Sequence, residues 1–276
     1  MGSKVIGNKY AFRQFHLEYM VEDPAICMIA KRGSGKSWIV RAILKKNCSI
    51  PVGAVIAPTD KMSSFYGDFI PESYVHHTFK PEIIERILKR QMDIINKNRK
   101  KNEQGKKINV HAWLVMDDCM SDKKIWTSTL INTLFFEGRH YKLMYILTMQ
   151  YSLGIKPELR TNFDYVFLLA DDMITNQKRI YDHYAGMFES FDEFRNVYLE
   201  LTKDFGAMVI INRGLKNEIY DKIFWYKADN PHIRSIGCPQ YQIFHHLNYN
   251  KDWRDKAVSK MFTNTKKPMN VKKVDY

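Results

Sequence analysis

A glycine-rich segment that ends in a lysine and a serine, AKRGSGKS at residues 30–37, carries the clearest chemical signal of this chain. An apolar run precedes it and an apolar-periodic segment follows it. A strand, a glycine loop and a helix in this order form a phosphate-binding loop, whose backbone N–H groups point at a polyphosphate. The usual pattern begins with glycine, and this chain has Ala30 there. A plain glycine-rich turn is the alternative interpretation.

Individual residues of this loop have distinct expected roles. Gly33 and Gly35 allow a tight turn and a close approach to phosphate. Lys36 can reach the β- and γ-phosphates, and the Ser37 hydroxyl can hold Mg²⁺. We therefore expect a nucleotide to be bound by Arg32, Gly33, Ser34, Gly35, Lys36 and Ser37.

Two adjacent carboxylates, Asp117 and Asp118, follow the apolar run AWLVM at 112–116. In a parallel sheet, ligands bind at the carboxyl ends of the strands. We expect Asp117 to join Ser37 in holding Mg²⁺, and Asp118 to polarise the attacking water. A cap for the following helix is the alternative role of Asp118.

Three further polar residues flank the next apolar run. Gln150 ends the run at 143–150, where it can contact the γ-phosphate or the attacking water. Arg139 lies shortly before this run and Arg160 shortly after it. Either arginine can reach the phosphates of a neighbouring subunit and stabilise the transferring phosphoryl group. Each can equally be an ordinary surface or ion-paired arginine.

Alternating apolar runs and one long helical pattern predict the fold. The helix is expected at 81–101, where apolar residues recur at spacings of three and four. The pattern predicts an α/β P-loop NTPase with a mostly parallel central sheet flanked by helices and a short basic C-terminal extension. We expect an ATPase domain at 1–215, an aromatic-rich extension at 216–262 and a disordered basic tail at 263–276. Further strands are predicted at 53–57, 165–169 and 207–211.

The charge of the chain indicates a polyanionic partner. Among 276 residues, 43 are Lys or Arg and 30 are Asp or Glu, so the formal net charge is +13. Nucleic acid is the first candidate partner and an anionic membrane the second, while a merely basic soluble protein remains the alternative. A basic cluster at 97–107 can contact nucleic acid or form a solvated loop. We expect neither a transmembrane segment nor a secretory signal, and four cysteines without C-x-x-C spacing suggest reduced thiols.

Several motifs together resemble a known family. They are AKRGSGKS, LVMDD, the Gly-Arg-His at 138–140, the strand-terminal Gln150, and L-R-x-N-x-D-Y-V-F at 159–167. Across about residues 20–215, this ordered set resembles the packaging ATPases of large DNA viruses, which are poxvirus-type members of the FtsK/HerA superfamily of ring-forming DNA pumps.

The resemblance implies an ATP-driven translocase that threads double-stranded DNA into a capsid. It implies ATP and Mg²⁺ as cofactors and a homo-oligomeric ring, with a capsid or inner-membrane viral protein as a further partner. It also implies a location at the assembly site in the host cytoplasm, and in the virion. By the same resemblance, Lys36 and Ser37 bind nucleotide and Mg²⁺, while Gln150 senses the γ-phosphate. Arg139 is the first choice for the trans arginine and Arg160 the second.

Competing functions remain open at this stage. A P-loop small-molecule kinase would share the glycine loop, and so would a regulatory NTP switch. The guanine-reading N-K-x-D pattern is missing, because the nearest string, NKD at 250–252, lacks the spacer. A DNA-binding module without catalysis is hard to reconcile with Lys36, Ser37 and Asp117. The D-F-G string at 204–206 lacks the other protein-kinase motifs, and we interpret it as a turn before the strand at 207–211.

Overall fold

The apolar runs of the sequence become strands of one sheet. The computed structural model describes residues 11–119, 129–214, 218–230, 232–250 and 252. The strands in chain order are β1 Arg13–Gln14, β2 Ala25–Ile29, β3 Val52–Ile56, β4 Val75–His76, β5 Ala112–Asp117, β6 Leu143–Met149, β7 Tyr165–Leu169, β8 Ala207–Ile211 and β9 Ile223–Tyr226.

The sheet has β2 near its centre. Within the described ranges its strand order is β1-β9-β8-β7-β2-β6-β5-β3-β4. Strand β2 pairs in parallel with β6 and β7, whereas β8 runs antiparallel to both β7 and β9. The predicted mostly parallel central sheet is confirmed.

Helices cover both faces of the sheet, which explains why the central strands are apolar throughout. Cys27 and Ile29 of β2 face one core, and Ile26 and Met28 face the other. No helix in the described part of the chain is long and apolar enough to cross a membrane. The helices are α1 Lys36–Lys46, α2 Pro81–Asn102, α3 Thr129–Glu137, α4 Pro157–Arg160, α5 Ile174–Tyr184, α6 Phe191–Leu201, α7 Ile219–Lys222 and α8 Pro239–Asn248.

Helices α1 and α2 lie on opposite faces. The buried side chains of α1 join the core that contains Met28, whereas Ile84 and Leu88 of α2 join the core that contains Cys27. Since α2 leads into the start of β5, its last turn lies at the edge where the parallel strands begin. The basic cluster at 97–107 therefore occupies the final turns of α2 and the loop after it, at the edge opposite the strand ends.

The described part of the aromatic-rich segment, residues 218–230 and 232–250, contributes to the same fold. Strand β9 pairs with β8, so the domain boundary predicted at residue 215 falls between two strands of one sheet. In α8, the Tyr241 ring stacks on Tyr74 with centroids 3.8 Å apart, and its hydroxyl donates to the Gly53 carbonyl at 2.9 Å. The predicted tail at 263–276 lies outside the described residues.

Candidate functional site

The glycine loop joins the end of β2 to the start of α1. Gly33 and Gly35 have φ angles of +81° and +95°, in the left-handed region that glycine adopts without strain. Gly35 is the N-cap of α1, so the first turn of the helix follows the loop directly. The backbone N–H groups of a helix's first turn lack intrahelical acceptors and can bind an anion.

Ala30, which stands where the motif has its first glycine, is fully compatible with this geometry. The residue is 1% exposed, and its N–H donates to the Met149 carbonyl at 2.9 Å. Its methyl group packs in the core that contains Met28. The alanine therefore extends the pairing of β2 with β6 and leaves the loop beyond it free to turn.

A buried ion pair lies beneath the loop. The ammonium of Lys36 is 2.7 Å from Oδ1 of Asp117, and these side chains are 16% and 8% exposed. The Thr148 hydroxyl donates to the same oxygen, and the Tyr66 hydroxyl donates to Oδ2 at 3.1 Å. Both carboxylate oxygens of Asp117 therefore have polar partners at the buried end of β5.

Asp118 lies beside this pair with an unusual backbone conformation. Its φ of +54° is uncommon for a residue other than glycine, and its N–H points to the Thr148 carbonyl at 3.3 Å. The Gln150 amide donates to Oδ2 of Asp118 at 2.7 Å. Asp117 and Asp118 from one sequence motif and Gln150 from another thus lie together at the ends of neighbouring strands.

Burial keeps the Tyr66 hydroxyl and the Cys119 thiol near Asp117 protonated. Burial is the main cause that raises the pKa of Tyr66 well above its usual value, and the charge of Asp117 adds to it. Burial likewise raises the pKa of Cys119 to about 12, with further contributions from Asp117 and Asp118. The Cys119 thiol donates to the Ile56 carbonyl at 3.3 Å. Both groups therefore act as neutral hydrogen-bond donors around the carboxylates.

These residues border an open cleft of about 1010 Å³. The Ser34 hydroxyl bonds within the loop, where it donates to the Lys31 carbonyl at 2.6 Å. The other residues expected from the sequence to hold nucleotide or to act on it line the cleft, apart from the two arginines. They are Arg32, Gly33, Gly35, Lys36, Ser37, Asp117, Asp118 and Gln150.

The cleft offers suitable ligands for Mg²⁺. Ser37 supplies a hydroxyl oxygen and Asp117 a carboxylate oxygen, which are ligands that Mg²⁺ prefers. Magnesium usually takes its remaining ligands from water and from the phosphates of the substrate. The residues present therefore fit a metal that arrives with a nucleotide.

The two candidate arginines are engaged within their own subunit. Arg139 precedes β6, and its guanidinium is 2.6 Å from Asp164 at the edge where β6 and β7 begin, opposite the cleft. Arg160 donates from Nε to the Ile155 carbonyl at 2.9 Å, and its guanidinium lies over the Tyr184 ring. Their action on a neighbouring subunit stays a prediction.

No sequence pattern indicates some of the residues at the site. Thr148 reaches Asp117 because these two residues are paired across β5 and β6, and strand register cannot be read from the sequence. Tyr66 approaches from a short 3₁₀ segment that has no periodic signal. Phe205, interpreted above as part of a turn, and Lys227, which had no assigned role, also line the cleft.

Solved structures share this fold. The genome packaging NTPase B204 from Sulfolobus turreted icosahedral virus 2, in complex with AMPPCP, superposes with a TM-score of 0.51 at 14% identity. The complex of B204 with AMP gives a TM-score of 0.52 at 12% identity. Each match covers 76% of this chain and 100% of the solved chain. The shared fold, the glycine loop and the two carboxylates at the end of β5 define the class as P-loop NTPase.

Sequence comparison gives the family. The profile of the family described as Poxvirus A32 protein matches residues 12–181, which is more than half of the chain. This chain belongs to that family, which confirms the resemblance predicted from its motifs.

Relatives from two viruses match over most of the chain. Uncharacterized protein L437 of Acanthamoeba polyphaga mimivirus is 46% identical over 247 residues, covering 89% of this chain and 87% of that protein. Uncharacterized protein 075L of Invertebrate iridescent virus 6 is 36% identical over 234 residues, covering 83% of this chain and 87% of that protein.

Proposed function

We propose that this chain is an ATP-driven motor that packages double-stranded viral DNA into a capsid. The observation that carries the proposal is the Lys36–Asp117 ion pair of 2.7 Å beneath a glycine loop. Membership of the Poxvirus A32 protein family supports it. The fold is shared with B204, which is described as a genome packaging NTPase and was solved with AMPPCP.

ATP binding would redistribute the charges of the ion pair. The glycine loop and the first turn of α1 would bind the phosphates through backbone N–H groups. Lys36 would contact the β- and γ-phosphates, while Asp117 and Ser37 would hold Mg²⁺. Bound Mg²⁺ would offset charge on the phosphates. Thr148 and Tyr66, which already donate to Asp117, would keep its carboxylate oriented during this exchange.

Hydrolysis would depend on the second carboxylate. Gln150 holds Asp118 through one carboxylate oxygen, and both side chains border the cleft. We assign Asp118 to orient the attacking water and Gln150 to respond to the γ-phosphate. Catalysis of this kind rests on positioning and on electrostatic stabilisation of the transferring group.

The proposed DNA contact is electrostatic. The net charge of +13 favours a phosphate backbone as partner, and contacts of that kind are independent of sequence and weakened by salt. Exposed basic side chains at the end of α2, including Lys97 and Lys100, are candidates for these contacts. We place this activity in a homo-oligomeric ring at the assembly site in the host cytoplasm and in the virion, with a capsid or inner-membrane viral protein as a further partner.

Steady-state ATP hydrolysis, measured with and without long duplex DNA, tests the proposal. We expect duplex DNA to stimulate turnover, added salt to reduce the stimulation, and Lys36→Ala to abolish turnover. Replacing Lys97 and Lys100 by glutamine should weaken the stimulation. The matched control replaces Lys45 and Lys46, which are exposed at the end of α1 on the other face of the sheet.

Two results would contradict the proposal. Turnover retained by Lys36→Ala would remove the assigned site. Hydrolysis that requires a small-molecule phosphate acceptor and ignores DNA would indicate a P-loop small-molecule kinase instead of a motor.

A further inference from the structure

The cleft has a second wall, which the catalytic roles above do not use. Phe205 lies two residues before β8, and Lys227 and Ala228 lie immediately after β9. All three residues border the same cleft as the glycine loop. Because β8 is antiparallel to its neighbours, its beginning lies at the edge where the parallel strands end. The turn before β8 is therefore brought to the mouth of the cleft.

The strand order separates two ends of the cleft. The residues assigned to Mg²⁺, the attacking water and the γ-phosphate, namely Asp117, Asp118 and Gln150, lie at the ends of β5 and β6 on one side of β2. Phe205 and Lys227 come from β8 and β9 on the other side of β2. A nucleoside triphosphate held by the loop with its γ-phosphate toward β5 and β6 must extend its nucleoside in the opposite direction. That direction leads to the wall formed by Phe205 and Lys227.

Phe205 has an unusual local structure for an ordinary turn residue. Asp204 and Phe205 have φ angles of +51° and +64°, a conformation that is a genuine outlier for a bulky side chain. Phe205 is nonetheless 65% exposed. Such outliers cluster at active sites and ligand clamps. Packing against the core does not explain this side chain, because most of it faces the cleft and solvent.

Phe205 also lies against the phosphate-binding loop. A Cβ placed on Gly35 would be 3.2 Å from the Cβ of Phe205. The ring is thus adjacent to the turn that would hold the phosphates. An exposed aromatic ring in this position offers a flat apolar surface, and every nucleobase has a matching π-face.

We propose that Phe205 stacks on the base of the nucleotide bound in the cleft. This role rests on the proposed function, since it requires that the loop binds a nucleoside triphosphate. Stacking tolerates every base, so Phe205 contributes affinity for a nucleoside without selecting one base over another. The D-F-G string at 204–206 then has a purpose: its strained turn presents the ring to the cleft.

Titration of two ligands tests this proposal. MgATP contains a base, whereas inorganic tripolyphosphate with Mg²⁺ presents similar phosphates and no base. We expect Phe205→Ala to weaken ATP binding by roughly 10-fold, measured by calorimetry, with tripolyphosphate affinity unchanged. Phe205→Trp should retain ATP affinity because it keeps an aromatic surface. Phe136→Ala is the matched control, because Phe136 is 54% exposed and lies in α3, away from the cleft.

The outcomes separate this proposal from the proposed function. If Phe205→Ala weakens the binding of both ligands equally, the ring only supports the loop and the stacking role is overturned. Unchanged ATP affinity in Phe205→Ala also overturns it, while nucleotide binding itself stands. If the wild-type chain binds neither ligand, the proposed function fails and the stacking role fails with it.

Discussion

A buried carboxylate with a cationic partner lies at each end of the parallel strands. Asp117, at the end of β5, is paired with Lys36 at the cleft. Asp164, just before β7, lies 2.6 Å from Arg139 and 3.6 Å from Arg213 at the opposite edge. The Lys36–Asp117 pair is largely buried on both sides, and removing one partner of such a pair leaves an uncompensated charge, which typically costs about 3–5 kcal/mol. Arg139 and Arg213 are partly exposed, so solvent screens the loss of either one. Activity assays on variants of these residues therefore require a stability measurement beside them.

A third buried carboxylate predicts a pH dependence. Asp23 is almost fully buried, and its Oδ1 is 2.7 Å from Nδ1 of His111. The hydrogen bond to Asp23 is the main cause that raises the pKa of His111; the charges of Asp23 and Glu22 add to it, whereas burial and Lys142 oppose it. Because the pKa of His111 is higher in the folded state, protonation of His111 stabilises the fold. This stabilisation is complete below about pH 6.5 and is lost as pH rises through the folded-state pKa.

The measurement is the free energy of unfolding in urea between about pH 5.5 and about pH 8.5 for the wild type and His111→Gln. We expect the stability advantage of the wild type to be largest at low pH and to shrink as pH rises. An advantage that is constant over this range would show that the His111 charge contributes nothing.

At the level of elements, the contact between β3 and β5 depends on one glycine. Gly53 is paired with Trp113, whose side chain is fully buried. A Cβ on Gly53 would lie 2.0 Å from the Trp113 ring, so Gly53→Ala must displace the indole. We expect a loss of about 1–3 kcal/mol in the free energy of unfolding. Denaturant unfolding of the purified variant measures it.

Gly186→Ala is the matched control for this variant. A Cβ on Gly186 would have no atom within 4 Å, so its stability should stay near that of the wild type. Equal stability of the two variants would contradict the packing argument.

The elements also show what a sequence can predict. Strands 165–169 and 207–211 were predicted at their observed bounds, and 53–57 was displaced by one residue from Val52–Ile56. Long apolar runs define such strands by themselves. The short strands β1, β4 and β9 were not predicted, because strands of two to four residues have no periodicity of their own and form by pairing with a neighbour.

The same distinction applies to the site. The glycine loop and the two carboxylates at the end of β5 are local motifs, and the structure brings them together. Thr148, Tyr66 and Phe205 join them through strand register, a 3₁₀ segment and an antiparallel strand. These relations arise only from the tertiary fold.

At the scale of the whole molecule, the proposed ring predicts cooperation between subunits. If Arg139 acts on a neighbour, Arg139→Ala should bind ATP normally and lower turnover by about 10³-fold or more. Small amounts of this variant should then depress wild-type activity by more than their share. Activity assays of mixed subunits at constant total protein measure the effect.

Arg160→Ala provides the comparison in the same assay, because Arg160 is the alternative candidate. Strictly proportional dilution of activity by Arg139→Ala would contradict a trans role. In Arg139→Ala, Arg213 still faces Asp164, and thermal unfolding checks that this variant retains the fold.

The opposite placement of the cleft and the basic end of α2 has a consequence for the direction of the proposed DNA transport. The two lie at the two ends of the same parallel strands, so each subunit has distinct poles along the strand axis. Subunits joined head to tail by rotation form a ring with two unlike faces. The two strands of a DNA duplex run antiparallel, so its phosphate backbone looks alike from either end. If the proposed ring transports DNA in one direction, the asymmetry that sets this direction must therefore reside in the protein.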